Sequence, residues 1–135
     1  MDYKELFDDV RNHTRMYVRT GTYDEVAAFV LGCDAANDFC LLHGFREWLV
    51  LKVDGYDNFV WTELVLRLAF PGSVDPSAAV ATSPANNRVA INALFDMLSD
   101  FFVARGVRHE RLKDIFCQYQ AWLERREREN DDETE

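Results

Sequence analysis

The chain has 135 residues, 48% of them hydrophobic and 13% aromatic, with a formal net charge of −9. The length suits one domain with a real core, and the apolar content excludes an intrinsically disordered chain. The charge argues against capture of nucleic-acid phosphates or of an anionic membrane surface, and favours encounter with basic surfaces.

Residues 2–12 place Tyr3, Leu6, Phe7 and Val10 on one helix face, with Asp2, Glu5, Asp8 and Asp9 in the early turns, where the helix dipole favours negative charge. Residues 15–21 read as a connection. Thr22-Tyr23-Asp24-Glu25 is a capping-box pattern, and a helix carrying Val26, Phe29, Val30 and Cys33 follows it. Phe45, Trp48 and Leu49 predict a further helix. An alternative for residues 50–61 is a short β-hairpin, with Val50-Leu51-Lys52-Val53 and Phe59-Val60-Trp61 flanking the turn-like Asp54-Gly55-Tyr56-Asp57-Asn58. Leu64, Val65 and Leu68 share the face of a helix that Pro71-Gly72 stops.

Residues 72–82 are small and turn-forming and read as a surface loop. Ser83-Pro84 supplies an N-cap with proline in the first turn. The helix behind it carries Ala90, Ala93, Leu94, Met97, Leu98, Phe101 and Phe102, and ends at Arg105-Gly106. A last helix starts near His109 and carries Leu112, Ile115, Phe116, Tyr119, Trp122 and Leu123. These two strong patterns suggest an antiparallel pair. The fold class expected is all-α, a compact bundle of about five to six helices: a single domain over residues 1–123, then a charged, frayed or disordered tail over residues 124–135.

Three cysteines, an odd number, and a start lacking a basic segment before an apolar one point to a reducing cytoplasm with free, mostly buried thiols. No apolar run approaches membrane-spanning length.

Several groups of residues carry candidate chemistry. Cys33, Cys40 and His43 could approach one another as metal ligands, but the usual C-x-x-C or H-x-x-x-H spacing is missing, and the simpler reading is that both cysteines are small core hydrophobes. A thiol nucleophile needs a nearby cation or a helix N-terminus, which Cys33 and Cys117 lack in sequence. Asp96 and Asp100, like Asp34 and Asp38, are four apart and share a helix face, a pattern that more often marks a solvated face than acid–base work. No glycine-rich phosphate loop and no calcium loop is present. Arg105, Arg108, Arg111 and Lys113 form a modest basic cluster, too small against the overall charge to read as a nucleic-acid surface. The reading is therefore non-enzymatic, with no catalytic residue and no cofactor. The strongest candidate for partner binding is the aromatic and acidic group Asp54, Tyr56, Asp57, Phe59 and Trp61, suited to a basic protein partner.

Four segments together carry a resemblance: Arg15-Met16-Tyr17-Val18, Ala28-Phe29-Val30-Leu31-Gly32-Cys33-Asp34, Gly44-Phe45-Arg46-Glu47-Trp48-Leu49, and Leu64-Val65-Leu66-Arg67-Leu68-Ala69-Phe70-Pro71. In order and spacing the chain, from Arg15 to about Trp122, resembles a group of small bacterial proteins similar to immunity proteins of toxin systems. The resemblance implies an inhibitory binder, antitoxin-like, acting on a basic partner such as a toxin domain, and transfers no functional residue. Two alternatives are a self-associating scaffold, as monomer or homodimer, and a thiol- or metal-dependent enzyme.

Overall fold

A computed structural model describes residues 1–134. Seven α-helices occur among them: α1 (Tyr3–Asn12), α2 (Tyr23–Ala36), α3 (Phe45–Val53), α4 (Trp61–Ala69), α5 (Pro76–Thr82), α6 (Pro84–Arg105) and α7 (Leu112–Thr134), with a single 3₁₀ turn at Thr14–Met16. The all-α class holds. The count exceeds the five to six helices expected, and no strand is found among the described residues.

Helix starts follow local chemistry. The Asp2 carboxylate accepts from the Glu5 amide at 3.2 Å to begin α1. At α2, the Thr22 hydroxyl accepts from the Glu25 amide at 3.2 Å while the Glu25 carboxylate accepts from the Thr22 amide at 3.2 Å, completing the expected capping box. Ser83 caps α6 as expected, accepting from the Asn86 amide at 3.2 Å ahead of Pro84.

Helix α6 is the central element. It packs against α1, α2, α3, α4 and α5, and buries Ala90, Ile91, Leu94, Phe95, Leu98 and Phe101. One cluster of buried apolar side chains runs through the fold from Phe7 to Trp122. Phe101 sits at its aromatic centre, with ring centroids 5.2 Å from Phe45 and 5.9 Å from Trp48.

Several expectations are corrected. The alternative hairpin at residues 50–61 is not formed: α3 and α4 are both helical, and residues 54–60 link them. Helix α3 packs against α4, α6 and α7, so it buries Phe45, Trp48, Leu49 and Val50 on more than one face. That encirclement produces the short apolar run that mimics a strand. Residues 72–82 are not all loop: Asp75 caps α5, accepting from the Ala78 amide at 3.2 Å, with Pro76 and Val80 buried. The two strong helices do not form the expected antiparallel pair, because α7 packs chiefly on α3. The chain turns away at Gly106, where φ is +92° and the Glu110 carboxylate occupies the space a Cβ would need. Finally, the thiols are free but not mostly buried: Cys33 is half-buried, while Cys40 and Cys117 are exposed. Of the tail over residues 124–135 read from sequence as frayed or disordered, residues 124–134 continue α7, with Glu124 to Glu133 all exposed, and residue 135 lies outside the described residues. Among the described residues no helix is long and apolar enough to cross a membrane.

Candidate functional site

The link between α3 and α4 carries the residues singled out from sequence. Asp54 ends α3 in a left-handed conformation (φ 58°) and Tyr56 repeats it (φ 59°). Asp54 tolerates this better than most residues, and the reversal is fastened at once. The Trp122 indole N–H donates to the Asp54 carboxylate at 2.7 Å, tying the link to α7. Tyr56 and Phe59 lie three apart across a turn closed by the Phe59 amide donating to the Tyr56 carbonyl at 3.0 Å, and their rings stack at 5.1 Å. The Arg67 guanidinium, from α4, covers both rings at 5.2 and 5.5 Å and pairs with Glu63 at 3.4 Å. Arg46 of α3 donates to the Phe59 carbonyl at 3.0 Å.

The five candidates therefore share a neighbourhood but differ in freedom. Tyr56 is 44% exposed. Asp57 is half-buried with no ion pair. The Asp54 carboxylate is engaged by Trp122. Phe59 and Trp61 are half-buried against the core, Trp61 5.7 Å from Phe45. Cations crowd the same face. Arg126 lies 5.1 Å over Trp122, and with Leu51, Asp54, Arg125 and Glu129 it lines a small groove of about 330 Å³. Arg46, Arg67 and Arg126 thus temper the acidity on which the sequence reading relied.

The more uniformly acidic face is on α1. Asp2, Glu5, Asp8 and Asp9 line a groove of about 540 Å³ together with Leu6 and Tyr17. Asp9 accepts from the Tyr17 hydroxyl and pairs with His13 at 3.0 Å, and both partners hold its carboxyl below the usual range. Glu5 and Asp8 are exposed and without a basic partner. The sequence marked these residues as complements of the helix dipole. Their convergence with Tyr17 depends on the turn after α1 and could not be read from spacing.

The remaining candidates fall apart in space. Among the described residues no three His, Cys, Asp or Glu side chains converge as a metal would require, so Cys33, Cys40 and His43 are not a ligand set. The Cys40 thiol points to the Asp38 carbonyl at 3.7 Å, and the His43 ring packs against Phe116 at 5.2 Å. Burial pushes the Cys33 thiol up, away from nucleophilic use. Asp96 and Asp100 are exposed, as a solvated face requires. Asp34 is not: it is buried and accepts from the Leu42 amide at 2.9 Å. The basic cluster also divides. Arg111 caps the end of α6, donating to the Ala104 carbonyl at 3.0 Å and to the Val103 carbonyl, whereas Arg105 is buried.

No family model matches the chain, and neither a curated protein nor a solved structure does so.

Proposed function

We infer that this protein is a non-enzymatic acidic binder that captures and neutralises a basic protein partner, in the manner of an immunity protein or antitoxin. The observation that carries the reading is the unneutralised charge of its surface. Leaving Asp131 aside, the carboxylates with a basic nitrogen within 4 Å among the described residues are Asp9, Glu63, Asp96 and Glu110. Asp34 is buried, and most of the other carboxylates, Glu5 and Asp8 among them, are exposed without a counter-cation at that range among the described residues. Such a surface accelerates encounter with a basic partner and fixes its orientation. The α1 groove offers the contact of one sign, with Glu5 and Asp8 exposed beside the edge of Tyr17. Tyr56 and Asp57 offer a second contact on the α3–α4 link. The resemblance to immunity proteins points the same way.

The test is co-purification. The affinity-tagged full chain, expressed in its source cell, is recovered at low salt and eluted in salt steps. The expected result is a stoichiometric basic protein that elutes as salt rises, because charge pairing at an exposed surface is screened. It is lost from Glu5→Lys/Asp8→Lys and retained by Glu124→Lys, a charge reversal at an exposed position on α7. Recovery of the bait alone at every salt step rejects the reading. Equal loss from both variants rejects the siting on α1.

A further inference from the structure

The geometry points to a binding site for an amphiphilic anion, an apolar-tailed carboxylate, in the groove between the start of α1 and the turn that follows α6. The groove measures about 620 Å³, within the ~300–1,000 Å³ usual for small-molecule sites. Its walls are mostly apolar: Tyr3, Leu41, Phe102, Val103 and Val107 line it. Val103 is 71% exposed and Val107 96% exposed, so the apolar lining continues to the rim.

Arg105 lines the same groove and is 4% exposed. A guanidinium in that position needs its donors satisfied and its charge balanced. Among the described residues its hydrogen bonds come from one terminal nitrogen, which donates to the His43 carbonyl at 3.0 Å and to the Cys40 carbonyl at 3.4 Å. Its buried Nε has no partner. The rings of Phe101 and Phe102, 4.7 and 5.4 Å from the guanidinium carbon, offset part of the cost. Among the described residues no carboxylate lies within 4 Å, and Asp34 acts on it at longer range.

Among the described residues neither of the groove's own carboxylates pairs with Arg105. Glu110 accepts from the Arg108 amide at 2.8 Å and pairs with Arg111 at 3.9 Å, and Asp2 caps α1. Tyr3, Lys4, His109, Arg111 and the amino group of Met1 are the other titratable groups lining the groove. What remains is a buried, half-satisfied cation at an apolar groove. A carboxylate head would supply the missing acceptor, and an apolar tail would cover Phe102, Val103 and Val107. Burial of the tail provides the driving force and the charged hydrogen bond the selectivity.

Decanoate is the probe, titrated into the full chain with calorimetry and backbone amide shifts as readouts, and uncharged decanamide is the control. The expected result is saturable one-to-one binding of decanoate, with shifts confined to the surroundings of Tyr3, Leu41 and residues 102–111. Decanamide should bind about 10- to 100-fold more weakly, as the loss of a charged hydrogen bond predicts. Val103→Glu sets a negative charge on an exposed wall position and should abolish decanoate binding while leaving the thermal midpoint unchanged. That variant keeps the test independent of Arg105 substitutions, which would also free the Cys40 and His43 carbonyls and could unfold the turn. Absence of saturable binding at millimolar decanoate overturns the proposal. So does equal affinity for decanamide, indifference to Val103→Glu, or shifts confined to another face.

Discussion

Glu25 shows how much one half-buried side chain can organise. Its carboxylate accepts from the Thr20 amide at 3.0 Å, the Thr22 amide at 3.2 Å and both threonine hydroxyls, and these donors, the Thr20 hydroxyl foremost, hold its pKa at about 2. A carboxyl depressed by folding stabilises the native state above its unfolded value of 4.5, and that contribution is lost as pH falls from there towards 2. Urea midpoints measured between pH 7 and pH 2 should therefore drop more steeply in that window for the native chain than for Glu25→Gln. Asp9 and Glu110, whose carboxyls are also held low, leave some slope in the variant. A parallel decline of the two proteins would mean that these bonds are not formed in solution. At this scale the sequence was readable wherever partners lie within a few residues, as in the Thr22–Glu25 box. The partner of Asp54 was not, because Trp122 is 68 positions away and only the folded path of the chain brings it close.

Among the elements, those that announce themselves have a polar cap and a single apolar face. Helix α6 has both, and its N-cap makes a quantitative claim. Ser83→Ala leaves the Asn86 amide without its acceptor and should lower stability by about 1 kcal/mol, read as a shift in the denaturation midpoint with an unchanged denaturant slope. A change near zero would show that water replaces the hydroxyl without cost. Asp75-Pro76 repeats the chemistry of Ser83-Pro84, yet α5 was hidden. The residues after the proline, Ser77, Ala78 and Ala79, are small, and only Pro76 and Val80 of this helix are buried. Helix α3 was obscured for the opposite reason. Neighbours on several sides remove the polar stripe that distinguishes a helix from a buried strand.

For the whole molecule, the sequence conveyed the class and the one-core organisation but not which helices meet. Periodicity records which face is buried and says nothing of what buries it. The pairing of α7 with α3 follows from the Gly106 reversal and from Gly44. At Gly44 φ is +92°, and an added Cβ would come within 2.6 Å of a Leu112 methyl. The core of α3 and α6 meets at Phe101 and its ring neighbours, so Phe101→Ala should cost about 3–5 kcal/mol. Against a usual total of about 5–15 kcal/mol, that is a large share. A chemical-denaturation curve should keep one transition at a much lower midpoint. Two separate transitions would show that α3 and α6 do not unfold as one unit. The placement of the thiols gives the molecule a built-in ruler. Cys40 stands on the turn that Arg105 holds, and Cys117 stands on α7, both open to reagents while Cys33 is partly shielded. A dye pair attached at these two native positions, without any introduced cysteine, spans the seam along which α7 would part from the rest of the fold.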